Sequence, residues 1–422
     1  MNFLHSEIGS AKDNMKSPIH NWYKFTAGFS YKFVEEVIKE ESLKDRPDSV
    51  IFDPFAGCGT TLVSAQKEGI IGIGNEAQSF MYEIIKAKIN WNISSNEVLT
   101  YLNVINKYLN DNYPTFKIKE VAHPLLFSLY DLNRLIPLYL IRNSIQNIES
   151  SKYRLFFKLA LSQTLHKVAL YPIAVPYISR NKKLATEYQT WETFNEIAHK
   201  MLNDLAHYHG IKKTSTIYKH DSRKENKRIG KKACNVCITS PPYLNNLDYG
   251  EVSKVHTHFF DITSNWQDIT KSVRKNLVTG STTHYNDSEF EFDTFLTNEF
   301  CSTNKNIIPF LINKALEIKD ISKVRAGRKS FNILLLYYFN DMYNVLKEIR
   351  RVLTDDGKAY MILGDSAPYG IYIPTTEILG KIACNTGFED FKIINIRTRG
   401  GKWKTLKHRH NLILTENVLI LK

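Results

Sequence analysis

The chain has 422 residues, 43% hydrophobic and 12% aromatic, with a formal net charge of +13 and a pI near 9.2. That length allows a sizeable core and roughly two to three domains, and the charge suits a polyanionic partner, although a ribosomal or membrane-surface protein would share it. Five cysteines form no disulfide framework, the N-terminus lacks a basic-then-apolar leader, and no run approaches the ~20 apolar residues of a membrane helix, so a soluble cytoplasmic protein is expected.

The first fifteen residues read as a loose lead-in. Residues 20–33 (HNWYKFTAGFSYKF) are aromatic around Gly28 and run into an amphipathic helix predicted over 31–41. This turn, which carries Phe25, is either a hydrophobic staple or a flap that closes over a cofactor. Next, Ser49-Val-Ile-Phe-Asp53 reads as an apolar strand, followed by Pro54-Phe55-Ala56-Gly57-Cys58-Gly59-Thr60-Thr61 and a helix over 61–68. Gly57 and Gly59 allow a ligand to approach the backbone without a Cβ in the way, and the helix N-terminus offers free N–H groups. Residues 70–73 form a second strand, with Glu76 just past it, placed for a ribose diol. A lone GxG can be a simple tight turn. It is no Walker loop, because no Gly-Lys-Ser/Thr follows, and it lacks the GxGxxG spacing of nicotinamide binders.

From about 79 to 213 the pattern turns helical, with apolar residues at three- and four-residue steps over 81–91, 98–109, 153–167 and 191–209, punctuated by Pro114, Pro124, Pro172 and Pro176. The stretch is too long for a loop and is read as a helical insertion. Its basic cluster at 180–183, near Tyr171 and Tyr177, is either a solvated face or a nucleic-acid contact. Residues 216–219 make a short β-branched strand ending in His220-Asp221-Ser222-Arg223, where Asp221 is an Asx turn or a ligand-binding carboxylate.

The run Val236-Cys237-Ile238 then ends in Thr239-Ser240-Pro241-Pro242-Tyr243. Pro242 has no N–H and holds Pro241 extended, so the strand must stop in a rigid corner at its carboxyl end, where open α/β sheets place ligands. Such a corner points a hydroxyl, a proline carbonyl and a ring at one small target. The exocyclic amine of a nucleobase fits: if Ser240 and the Pro241 carbonyl accept its two N–H bonds, the nitrogen turns pyramidal and frees its lone pair, with Tyr243 stacked on a base that has left the duplex. The alternative is a strand-ending turn with a packing tyrosine. Cys234 and Cys237 spell CxxC inside this strand, but no second CxxC, HExxH or paired metal spacing accompanies them, so they are read as core residues and no metal is expected.

Residues 248–260 read as a helix behind the corner. Residues 262–329 are polar and mixed, with Lys271, Arg274, Lys275, Arg325, Arg328 and Lys329, either a base-reading segment or a surface insertion. A long helix is predicted over 331–353, a turn at Asp355-Asp356-Gly357, a strand over 358–364 and a helix from Pro374 to about 385. Two closing strands follow, over 391–396 and 411–421, joined by a hairpin dense in cations (Arg397, Arg399, Lys402, Lys404, Lys407, Arg409). This is a solvated loop or a phosphate clamp. Glu416-Asn417-Val418 is similar to a cytosine-C5 methyltransferase motif, but that chemistry needs a nucleophilic Cys after Pro, and no Pro-Cys occurs.

DPFAGCGTT at 53–61 with Glu76 resembles the S-adenosylmethionine-binding motif of DNA amino-methyltransferases, and TSPPY at 239–243 resembles their catalytic motif. The serine form looks most like the cytosine-N4 branch; adenine-N6 enzymes usually carry Asp or Asn there. The resemblance covers about 20–91 and 216–422. It implies an α/β fold, a doubly wound, mostly parallel sheet whose final strand returns antiparallel, with a large helical insertion and a smaller mixed one. The corresponding division is 1–95 and 331–422 for the two ends of the core, 96–213 for the helical insertion, 214–261 for the catalytic strand and corner, and 262–330 for a candidate target-recognition insertion. By resemblance, Phe25, Asp53, Pro54, Phe55, Gly57, Gly59, Thr60, Glu76, Asp221 and Ser240 hold S-adenosylmethionine, with Asp221 accepting from the adenine amine. Ser240, Pro241, Pro242 and Tyr243 act on the acceptor base. Double-stranded DNA is the expected partner, with Arg325, Arg328, Lys329, Arg397, Arg399, Lys402, Lys404 and Arg409 the candidate contacts from their cation clusters, and the resemblance implies a companion restriction endonuclease. The chain departs from the family in motif order, because its recognition segments are internal. Adenine N6, RNA or a protein amide remain alternative acceptors, and a basic DNA-binding scaffold the non-enzymic alternative.

Overall fold

The computed structural model describes residues 10–25, 27–173, 178, 189–208, 210–211, 213–245, 247–324, 329–399 and 412–422. Seven strands form one sheet in the order β3-β2-β1-β4-β5-β7-β6: β1 Val50–Asp53, β2 Ile71–Glu76, β3 Thr216–Lys219, β4 Cys234–Thr239, β5 Leu353–Gly364, β6 Phe391–Arg399 and β7 Leu414–Leu421. The first five pair in parallel, and β7 lies antiparallel between β5 and β6. This is a mixed, mostly parallel α/β sheet of the kind the resemblance implied.

The central strands are near-continuous apolar runs because both faces are covered. Successive residues alternate sides. Ile51, Val236, Ile238, Tyr360, Ile362, Val418 and Ile420 pack against Phe33, Val34, Val37 and Ile38 of helix α1 (Tyr31–Glu40). Phe52, Cys237, Met361, Leu363 and Leu419 face the opposite way, toward the long helix Phe331–Val352 and the helix Thr375–Asn385. Cys234 and Cys237 are buried in that second layer, and burial pushes the Cys234 thiol up to about 12. Among the described residues no cluster of three or more His, Cys, Asp or Glu could hold a metal, and no helix is long and apolar enough to cross a membrane.

Helix α2 (Thr60–Lys67) follows β1, and α3 (Ser79–Lys88) follows β2. The helical stretch contains α4 (Ser95–Asn112), Ser151–Val168 and Thr190–Ala206 near their predicted places. It also contains a helix the sequence pattern hid, Leu132–Gln146, which carries Pro137 inside and buries Leu135, Tyr139, Ile141 and Arg142 around its circumference. Other elements fill in or shift the expected pattern. The segment 262–329 contains no strand among its described residues. Its main element is the helix Ile308–Val324, which sends Leu311, Ala315 and Ile318 into the same core as Phe331–Val352. The Asp355-Asp356-Gly357 turn does not precede β5 but interrupts its ladder, where the pairing jumps from Cys234–Leu353 to Val236–Lys358. Residues 248–260 form two short helices, Tyr249–Val252 and Lys254–Phe259. Strand β6 runs on to Arg399, which carries two arginines into the sheet.

Candidate active site: two cavities joined at the Pro-Pro corner

The carboxyl ends of β1, β2, β3 and β4 open into a first cavity. Its floor is the glycine-rich turn. Gly57 takes φ +55°, and a Cβ there would stand 3.4 Å from the Phe25 ring, which also lines the cavity. Gly59 does something else. It is the N-cap of α2 at φ +82°, and its Cβ would press on Ile85 at 3.2 Å, so its constraint is conformation and packing against α3 rather than ligand approach. Pro54, Phe55 and Thr60 also line this cavity.

Glu76 closes β2 and is 9% exposed. Its Oε2 accepts from Gly57 N at 2.9 Å and its Oε1 from Gln78 N at 2.8 Å, so the carboxylate holds the glycine turn against the strand end. Burial pushes it up to about 7. Each oxygen keeps a second lone pair for a ligand donor. Asp53 does not line the cavity. It is buried, accepts from Thr239 Oγ1 at 2.6 Å and Phe55 N at 3.0 Å, and its Oδ2 has no partner among the described residues; burial raises it to about 6. It ties β1 to the residue before Ser240. Asp221 lines the cavity, but Arg223 already grips both its oxygens at 2.8 and 2.9 Å and reaches on to Asp341. An adenine amine would share this carboxylate with Arg223.

Sequence reasoning missed Lys88. This lysine is fully buried at the end of α3 and donates to the carbonyls of Cys58 at 2.9 Å and His20 at 3.2 Å, joining the lead-in to the underside of the glycine turn. A single lysine in an apolar helix gives no signal of this.

β4 stops at Thr239, as the prolines require. Pro241 is buried, and the Pro242 carbonyl accepts from Tyr338 at 3.0 Å, which fastens the corner to the long helix. Beyond it lies a second cavity, lined by Tyr243, Glu416, Arg397 and Arg399 with Lys12 and Lys24. Phe25, Gly28, Phe29, Ser240 and Tyr249 line both cavities. Tyr243 donates its hydroxyl to Glu416 Oε1 at 2.9 Å, Arg397 pairs with Glu416 Oε2, and the Arg399 guanidinium lies 5.0 Å from the Tyr243 ring centroid. Glu416, set aside in the sequence on chemical grounds, therefore faces the corner in space. Arg399 thus faces Tyr243, and the half-exposed Arg397 faces Glu416. Lys329 lies at the surface before the long helix and lines neither cavity. Arg325, Arg328, Lys402, Lys404 and Arg409 fall outside the described residues, as do the cluster at 180–183 and Tyr177.

The wall that carries Tyr249 is braced from the 262–329 segment. Asp248 accepts from Gly250 N at 3.0 Å and receives Nε and Nη2 of the fully buried Arg274, whose guanidinium stacks 3.8 Å from the Trp266 ring centroid. Burial opposes charge on Asp248, but the hydrogen bonds from Arg274 and from Thr283 Oγ1 at 2.8 Å outweigh it and hold the carboxyl well below its usual range.

A glycine-turn cleft at the sheet's carboxyl edge thus meets a polar pocket at the Ser-Pro-Pro-Tyr corner, leaving two adjoining spaces for ligands. Comparison with known proteins finds the following. The N6/N4 family model, described as DNA methylase, matches residues 6–87. Type II methyltransferase M.BsoBI of Geobacillus stearothermophilus is 23% identical over 445 residues, spanning 94% of this chain and 83% of that protein. Type II methyltransferase M.MvaI of Kocuria varians is 22% identical over 415 residues (89% and 83%), and M.AvaI of Anabaena variabilis 24% over 432 (94% and 85%). No solved structure matches the chain. The family model and these relatives support a DNA methyltransferase.

Proposed function

We propose that the chain transfers a methyl group from S-adenosylmethionine to the exocyclic N4 amine of cytosine in a specific duplex DNA sequence, as the modification component of a restriction-modification system in the cytoplasm. The observation that carries this reading is the pair of contiguous cavities with Ser240 in their common wall. Transfer needs donor and acceptor held in line across a short gap, and positioning of that kind supplies much of the rate.

The first cavity's lining fits the cofactor. Gly57 leaves room where a Cβ would intrude, Glu76 and Asp221 supply carboxylates, and Phe25 and Phe55 supply aromatic surface. Bound there, S-adenosylmethionine supplies a methyl group activated by its sulfonium. Ser240 Oγ and the Pro241 carbonyl accept the two N–H bonds of the acceptor amine and draw its nitrogen pyramidal. Tyr243 gives the extruded base a stacking surface. The uncharged serine at 240 favours cytosine within the resemblance, and the net charge of +13 suits a DNA partner.

The test is acceptor class. Purified protein incubated with methyl-labelled cofactor and, in parallel, duplex DNA of varied sequence, RNA and protein is expected to label duplex DNA alone. Label in RNA or protein would move the acceptor, and no label anywhere would leave the scaffold reading.

A further inference from the structure

The second cavity contains more organisation than a stacking tyrosine requires. The Tyr243 hydroxyl is tethered to Glu416, which is 7% exposed and held through its other oxygen by the half-exposed Arg397. One region of the Tyr243 ring is covered by the Arg399 guanidinium. Space for that guanidinium comes from Gly364, at the end of β5. A Cβ at Gly364 would overlap Arg399 Nη1 and stand 3.2 Å from both the Tyr243 ring and the Thr415 carbonyl. These five residues come from the corner after β4 and from the ends of β5, β6 and β7, which the sheet order brings side by side.

We propose that Arg399 and Glu416 are positioning residues for the acceptor base, acting through Tyr243, and that Arg399 is not a phosphate contact. This rests on the functional reading above. Tyr243 follows a rigid corner, but its ring can still turn about its own side-chain torsions. Tethering the hydroxyl fixes where the ring's edge points, and a cation over one face fixes its plane. Stacking of the base is then confined to the face opposite Arg399, with its amine directed at Ser240. The guanidinium also draws on the ring's negative face, a favourable contact that keeps the pair together. Arg399 seated in a niche made by a missing side chain is a poor candidate for a free, solvated clamp.

Three variants test the assignment, each with three readouts: cofactor binding by calorimetry, affinity for a fluorescent duplex over a salt series, and single-turnover methyl transfer to plasmid DNA. Arg399→Gln removes the cation, Glu416→Gln weakens the tether, and Gly364→Ala displaces Arg399 without altering it. Arg399→Gln and Gly364→Ala are expected to slow transfer by roughly ten- to a hundredfold, the scale of a small misplacement at a reacting centre. Glu416→Gln should slow it in the same direction. Cofactor affinity and the salt slope should match wild type, and Arg399→Lys should recover part of the rate. A salt slope reduced by about 0.9 in Arg399→Gln would identify a phosphate contact and overturn the proposal. So would wild-type transfer in both Arg399→Gln and Gly364→Ala. If the wild-type protein transfers nothing to DNA, the functional reading falls. The salt slope then still decides whether Arg399 meets phosphate.

Discussion

Replacing Gly57 by leucine separates the site from the fold. Gly57 adopts φ +55°, where a side chain costs ~1–2 kcal/mol of backbone strain. In a chain of this size that is a loss of only a few degrees in Tm. The new Cβ would begin 3.4 Å from the Phe25 ring, on the cavity side of the turn, and the rest of the leucine would extend into the lining. Cofactor affinity measured by calorimetry should fall at least a hundredfold, which corresponds to about 2.7 kcal/mol. Two other glycines calibrate the effect. Gly69 has φ +70° with nothing within 4 Å of its Cβ, so Gly69→Leu should show the same modest Tm loss with wild-type cofactor affinity. Gly59→Ala adds contact with Ile85 to the strain and should lose more stability than either. Wild-type affinity in Gly57→Leu, or equal loss in Gly69→Leu, would refute the reasoning.

Ser240→Ala should leave cofactor binding near wild type and slow methyl transfer over a hundredfold, from loss of a transition-state hydrogen bond of ~3 kcal/mol; an unchanged single-turnover rate would remove Ser240 from the chemistry. Cofactor affinity should weaken as pH falls through about 7, because burial raises Glu76 to that value and the protonated acid loses an acceptor for N–H and diol donors. The slope should not exceed about one decade per pH unit, and Kd independent of pH from 6 to 8 would contradict it. His20 and His256 are buried with no hydrogen-bond partner for either ring nitrogen among the described residues, and burial holds both well below their ordinary range. The unfolded chain therefore takes up protons first, so stability is retained above about pH 6.5 and lost below it by up to ~1.4 kcal/mol per histidine per unit. His256→Phe, stacking on Phe80 as His256 does, should flatten the fall in Tm between pH 7 and 5.5.

The parts of the site that the sequence made legible are those set by local chemistry. β3 was read to the residue because a short β-branched run leaves little choice, and β4 ends where two prolines forbid continuation. The glycine turn announced itself through Gly57, but Gly59 beside it answers to Ile85, which only the packing of α3 reveals. Helix Leu132–Gln146 is buried nearly all round and contains a proline, so it shows neither periodicity nor a clean boundary. Glu416 lies 173 residues from Tyr243 in sequence, and only the insertion of β7 beside β5 brings the two together. Arg397 and Arg399 read as members of a charged hairpin. Their extension of β6 is what brings Arg397 to Glu416 and Arg399 to Tyr243.

The central claim is the identity of the methylated base. Plasmid DNA treated with the protein and S-adenosylmethionine, digested to nucleosides and resolved by mass spectrometry, should contain N4-methylcytosine and no new N6-methyladenine. N6-methyladenine in its place would contradict the assignment of the Ser240 corner to cytosine.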